Sequence, residues 1–207
     1  MSFAKIPSLP FLIESMVPNK ASPKVLGVHG PAESGKDTLA DFLKPMGFAK
    51  IAFADPLKLH IKQTKRVAAE YLWARDLKDV VIPGWGCTGR DLCQQEGDRL
   101  RKAYGDDIFV RRAVMDMQAR LSEGWGGVIF SDVRYEWEAS VVRQLGGFIV
   151  HIAKDDAARN VAINWSHSSE AGVAFAEGDQ RIVNNASLDA YRARVLAACA
   201  PLLEQVA

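Results

Sequence analysis

The chain lacks the features that mark several whole classes of protein. Its 207 residues hold three cysteines, Cys87, Cys93 and Cys199, an odd number with no C-x-x-C spacing. That leaves no disulfide scaffold and no apparent zinc site, and it suits a reducing compartment. The net charge is +1, so no basic field draws polymeric nucleic acid, and a small anionic ligand is the better-matched partner. No apolar run approaches the ~20 residues of a membrane span, so no membrane partner is expected. No internal repeat or low-complexity tract is present. Pro7, Pro10 and Glu14 interrupt the apolar positions near the N-terminus and no A-x-A pattern follows them, so a signal peptide is not expected. Residues 1–23 read as an arm lying across the domain or across the partner of a homodimer, and the chain reads as cytoplasmic.

What is present is an ordinary globular composition, 48% hydrophobic and 25% charged, enough for one domain with a substantial core. The pattern is organised around residues 24–38, KVLGVHGPAESGKDT. Val25-Leu26-Gly27-Val28 reads as a buried strand, and Leu39, Phe42 and Leu43 begin a helical pattern after the loop. Between them Gly30, Ser34, Gly35 and Lys36 form G-x-x-x-x-G-K, a phosphate loop in its strand-to-helix setting. Glycines let backbone N–H groups curl around phosphate oxygens, and the helix N-terminus adds about half a positive charge there. Lys36 adds a point charge for the outer phosphates. Where Ser or Thr usually follows the lysine, this chain has Asp37, with Thr38 behind it.

The rest of the chain alternates strands with helices. Helix 37–44 ends at Pro45 and Gly47, Phe48–Phe53 is a strand, and a helix of roughly 56–73 follows with Asp55 as its expected N-cap. Residues 74–87 read as an irregular connection. Thr88 caps a helix from Gly89 to about Tyr104, and Ile108–Leu121 is another. Val128–Asp132 is a strand, 135–145 a helix, and Phe148–Ile152 a strand. Residues 154–179 are polar and weakly periodic, which marks a lid. Arg181–Asn184 is a last short strand, and Ser187 caps a closing helix to about 205. This alternation predicts an α/β fold of three layers, a parallel doubly wound sheet of about five strands with helices on both faces. Ligands of such sheets sit beyond the carboxyl ends of the strands, where Gly30, Asp55 and Asp132 all fall.

Val128-Ile129-Phe130-Ser131-Asp132 is an apolar strand ending in a carboxylate, the form in which P-loop proteins present an aspartate to Mg²⁺ beside the phosphate loop. Arg90, Arg99, Arg101, Lys102, Arg111, Arg112 and Arg134 supply cations, and transfer of a phosphoryl group needs positive charge around both phosphates. Arg90 and Arg134 each follow a loop or strand end and are the better candidates. Trp85, Trp137 and Trp165 are candidates for stacking on a base.

These motifs, in this order, resemble the phage-type deoxynucleoside monophosphate kinases, P-loop enzymes related to adenylate kinase. Gly35-Lys36-Asp37-Thr38 resembles the family's G-K-D-T, and Phe53-Ala54-Asp55-Pro56-Leu57-Lys58 its F-A-D-P-L-K. Thr88-Gly89-Arg90 with Leu92 and Gln94 resembles T-G-R-x-x-L-Q. Asp132-Val133-Arg134 with Glu138-Ala139 resembles its D-V-R motif. His167–Glu170 resembles H-x-S-E, and Ile182–Asn184 the closing I-x-N. Trp137 stands where that family usually has Asn, and Phe109 where Trp is common. The resemblance implies a P-loop kinase domain over 24–207, with an acceptor-binding helical region at about 55–121 and the lid at about 154–179. It implies transfer from ATP to a (deoxy)nucleoside monophosphate with Mg²⁺. Gly30, Ser34, Gly35, Lys36, Asp37, Thr38 and Arg159 would hold ATP, and Asp37 and Asp132 the metal. Asp55, Lys58, Arg90, Gln94, Arg111, Arg134, Trp137 and Glu138 would hold the acceptor. Lys36, Arg90, Asp132 and Arg134 would carry catalysis. A kinase for a non-nucleotide phosphate such as phosphomevalonate shares a similar G-K-D loop and D-V-R motif, and a P-loop NTPase or switch without acceptor is the third reading.

Overall fold

In the computed structural model the described residues are 24–154 and 172–203, with Pro10 and Ile13 of the N-terminal segment. Five parallel strands form one sheet in the order β2-β3-β1-β4-β5: β1 (Lys24–His29), β2 (Phe48–Ile51), β3 (Gly127–Val133), β4 (Phe148–Ala153) and β5 (Gln180–Val183). Around them run α1 (Lys36–Leu43), α2 (Asp55–Lys65), α3 (Glu70–Trp73), α4 (Gly89–Tyr104), α5 (Ile108–Ser122), α6 (Glu136–Gln144) and α7 (Leu188–Leu203).

The strand sequences dictate the layering. Alternate residues of a strand point to opposite faces. Val25, Val128 and Phe130 therefore pack with Val110, Val114 and Met117 of α5 and Ala139 and Val142 of α6, while Leu26, Val28 and Ile129 meet Leu39 and Leu43 of α1 and Tyr191 and Val195 of α7. Ile13 packs against the first of these clusters. A third cluster joins Leu57 and Ile61 of α2, Leu72 of α3, and Leu92 and Leu100 of α4, building a helical unit beside the sheet. The connection leaving β1 runs to one side and that leaving β3 to the other, so a crevice opens between their carboxyl ends. That crevice is bordered by Gly30 and Asp132.

Two expectations change. The helix expected over 56–73 is broken: α2 ends at Lys65, Arg66 turns left-handed (φ 54), and Val67 then dives into the helical cluster before α3 begins. Asp55 is not the N-cap of α2; Ala54 is, and the Asp55 carboxylate accepts from the Trp73 indole N–H at 3.0 Å. By contrast, Thr88 does cap α4, in a reciprocal box with Asp91. Next to it, Gly89 has no room for a side chain, because an added Cβ would overlap the Tyr71 carbonyl oxygen. Gly89→Ala is expected to lower the unfolding free energy by about 1–3 kcal/mol, measured by chemical denaturation, by forcing α3 away from α4.

Candidate active site

The phosphate loop leaves β1 at Gly30 and enters α1 at Lys36. Both glycines are fixed by crowding. A Cβ on Gly30 would stand 2.5 Å from the Ile152 carbonyl oxygen and 2.8 Å from the Ser34 hydroxyl. On Gly35, whose φ of 102° already favours glycine, it would stand 2.6 Å from the Asn184 amide nitrogen. The loop is braced from behind by residues far along the chain. Asn184 Nδ2 donates to the Ser34 carbonyl (2.9 Å), and the Tyr191 hydroxyl donates to the Gly35 carbonyl (3.0 Å). Lys36 Nζ donates to the carbonyls of Gly30 (2.7 Å) and Pro31 (2.5 Å), curling across the loop it serves. Asp37 is exposed and pairs with Lys50 Nζ at 2.5 Å, and Thr38 is half-buried one turn into α1.

Asp132 closes the other side of the crevice. β3 pairs directly with β1, so this carboxylate lies on the strand beside the loop. Its Oδ1 accepts from the Phe53 amide (2.6 Å) and its Oδ2 from the Ala54 amide (3.1 Å), which ties the start of α2 to β3. Burial pushes its pKa above the usual carboxylate range, against the pull of Arg134 and the two amides. Beyond this tie, Asp55 is held by Trp73, and Lys58 Nζ lies 5.6 Å from the Trp73 ring centroid, so α2 and α3 present a carboxylate, an ammonium and an indole together. Arg134 is exposed just past β3. Burial pushes the Cys93 thiol up, while the charges of Lys58 and Arg134 act on it in the opposite sense.

Other sequence candidates are engaged elsewhere. Arg90 is paired with Asp79 (2.6 Å), and both side chains are exposed. Arg111 donates to the Tyr104 carbonyl (2.6 Å) and pairs with Asp107, joining α4 to α5. Gln94 is exposed on α4. Trp137 stacks on Tyr135 (centroids 5.4 Å, 13°) and packs against the core, and Trp85 lies under Lys65. Arg159, Trp165 and His167, with most of the arm, lie outside the described residues. No sequence motif gives Trp73 or Tyr191 a role in the site, and I-x-N marks Asn184 without assigning it one.

Glu138 is buried, and its carboxylate accepts from the amides of Arg134 (2.7 Å) and Tyr135 (3.2 Å). It therefore shapes the turn that carries Arg134. Burial, the Arg134 amide and the nearby Asp132 charge set its balance, and the net effect pushes it up from 4.5 to about 8. Between those two values the folded chain holds a proton that the unfolded chain has lost, so this group makes stability fall as pH rises from 4.5 to about 8. Glu138→Gln removes that titration. Relative to the native chain, its unfolding free energy is expected to improve between pH 5 and pH 8 by on the order of a few kcal/mol. Parallel stability curves for the two chains would contradict this.

A glycine cradle at a helix N-terminus, a lysine across it and a strand-end carboxylate on the neighbouring strand, all on a 2-3-1-4-5 parallel sheet, define a P-loop fold built to hold phosphate. The family model described as deoxynucleotide monophosphate kinase matches residues 97–195, which include Asp132, Arg134, Asn184 and Tyr191. A protein of Acanthamoeba polyphaga mimivirus carrying the deoxynucleotide monophosphate kinase name is 28% identical over 185 residues, 83% of this chain and 94% of that protein. The deoxynucleotide monophosphate kinase of Enterobacteria phage T4 is 26% identical over 100 residues, 44% of this chain and 40% of that protein. A solved dephospho-CoA kinase from Campylobacter jejuni matches over 87% of this chain and 98% of its own, with a TM-score of 0.47 and 12% identity. Over these spans the chain is similar to deoxynucleotide monophosphate kinases, the family its motifs resemble. Among the described residues, no helix is long and apolar enough to cross a membrane.

Proposed function

We propose that the chain transfers the terminal phosphoryl group of ATP to a (deoxy)nucleoside monophosphate, forming the diphosphate. The observation that carries this reading is the crevice between β1 and β3, which sets a phosphate cradle beside Asp132 and the Asp55–Lys58 segment that Asp132 ties down. The family match favours a nucleotide acceptor over phosphomevalonate, and the cations Lys58 on α2 and Arg134 just past β3 argue for an anionic acceptor over a bare NTPase.

The residues fit a bound phosphate. The Ser34 hydroxyl is fully buried with no hydrogen-bond partner, and Gly30 and Gly35 are packed so closely against their neighbours that the loop backbone is held in its curl. Among the described residues no three carboxylates, cysteines or histidines gather around a metal, and Mg²⁺ at such sites is held by one or two carboxylates with substrate phosphates. Asp37 and Asp132 are those carboxylates in this proposal. ATP supplies the phosphoryl group, and Mg²⁺ supplies charge neutralisation across its phosphates. Lys36 exchanges its contacts to Gly30 and Pro31 for the outer phosphates, and Thr38 meets the inner one. Lys58 and Arg134 hold the acceptor phosphate, and Asp55 meets its sugar or base. Arg90 joins them by leaving Asp79, an exchange that an exposed pair allows at about 0–1 kcal/mol. Phosphate is already an anionic nucleophile, so positioning and charge stabilisation suffice. Arg159, Gln94, Arg111 and Trp137 remain secondary candidates, and a cytoplasmic, homodimeric enzyme is the proposed form.

A coupled ADP-release assay across the ribo- and deoxynucleoside monophosphates and phosphomevalonate tests this. Acceptor-dependent release with at least one nucleotide is expected. Release with phosphomevalonate alone, or release independent of any acceptor, would refute it.

A further inference from the structure

Glu33 stands in the phosphate loop with a left-handed backbone (φ 64), a conformation shared among the described non-glycine residues only with Arg66. Its side chain is 56% exposed, and two cations from distant parts of the chain meet on it. Arg75 Nη2 lies 2.7 Å from Oε1, and Lys154 Nζ lies 3.9 Å from Oε2. Neither belongs to a phosphate-binding motif, yet each reaches the loop from one flank of the crevice. Arg75 comes two residues after Trp73, whose indole is bonded to Asp55, so its backbone belongs to the acceptor-side helical unit. Lys154 follows β4, whose Ile152 carbonyl borders the Gly30 cradle.

The chemistry of the three side chains is unequal. Exposed ion pairs are weak, and a single solvated carboxylate is a modest partner for a guanidinium. A polyphosphate carries several negative charges and offers paired oxygens that match arginine's fork. Placed on the loop amides, it lies within reach of the groups now gathered on Glu33 and repels that carboxylate.

Resting on the kinase reading above, we propose that Arg75 and Lys154 are further phosphate-contacting residues of the reaction, and that Glu33 holds them until nucleotide phosphates displace it. Arg75 then spans from the acceptor-side unit to the donor phosphates, where negative charge shifts during transfer. Lys154 meets the same phosphates from the opposite flank. Glu33 is a positioning residue that keeps both cations aimed at the loop.

The test uses the full chain and its Arg75→Ala, Arg75→Lys, Lys154→Ala, Glu33→Gln and Glu33→Gln/Arg75→Ala variants. Calorimetry with inorganic tripolyphosphate reads the donor-side cations without any acceptor, and steady-state kinetics read turnover. Arg75→Ala is expected to weaken tripolyphosphate binding several-fold and to lower kcat by about 10²-fold, with the unfolding midpoint unchanged. Arg75→Lys recovers part of both losses, and Lys154→Ala weakens binding several-fold. Glu33→Gln tightens tripolyphosphate binding at low salt, and that gain shrinks when Arg75 is also removed. Native-like binding and turnover in both Arg75→Ala and Lys154→Ala would overturn the proposal, as would a Glu33→Gln gain untouched by loss of Arg75. Tripolyphosphate binding needs no acceptor, so a chain that phosphorylates no nucleotide would overturn the functional reading alone.

Discussion

Lys36→Ala is expected to lower phosphoryl-transfer turnover by about 10²–10³-fold, the usual cost of removing one preorganised charge from a developing anion. The structure says why stability should change little. Lys36 sits at the first position of α1 and donates to carbonyls of its own loop, Gly30 and Pro31. The loop itself is held by Asn184 and Tyr191 from behind. Removing the ammonium therefore leaves the cradle standing. Lys36→Arg should rescue poorly, since a planar fork cannot curl over Gly30 as a compact ammonium does. Comparing kcat with the denaturation midpoint checks this, and a large loss of stability alongside activity would contradict it.

Asp132→Ala should behave differently and lose both. Its two oxygens satisfy the amides of Phe53 and Ala54, and the turn they hold sets the start of α2. Alanine leaves two partly buried donors unpaired, at about 1–3 kcal/mol each. Chemical denaturation should show a loss of about 2–6 kcal/mol, and turnover should fall by at least the Lys36→Ala factor, because Asp55 and Lys58 lose their anchor as well. Asp132→Asn keeps one acceptor and should recover part of the stability while recovering little turnover. A stable, active Asp132→Ala chain would remove Asp132 from the account.

The contrast between these two residues shows where sequence is informative. Strand ends, the Thr88 cap and the phosphate loop depend on neighbours within a few positions, and the chain displays them locally. The apolar run ending at Asp132 also predicted its place beside the loop, because sheet topology follows from alternating strands and helices. What it could not display was the partner of each side chain. Asn184 and Tyr191 lie 150 and 156 residues from the loop carbonyls they brace. Asp55 looked like a cap because Asp before Pro usually caps, but a tryptophan 18 residues on claimed its carboxylate. Arg66 breaks a helix that its side-chain type favours, because burying Val67 in the α2–α4 cluster outweighs local propensity. Arg90 carried the right motif, yet Asp79 competes for it in a loop with no periodic signal.

The central claim is that a phosphoryl group passes from the loop around Lys36 to a nucleotide held by the α2 segment and Arg134. Incubating the chain with γ-labelled ATP, Mg²⁺ and each deoxynucleoside monophosphate, then separating the products, tests it most directly. The account predicts label in a deoxynucleoside diphosphate for at least one base, at a rate that collapses in Lys36→Ala. Label appearing only as inorganic phosphate, with or without nucleotide, would contradict it.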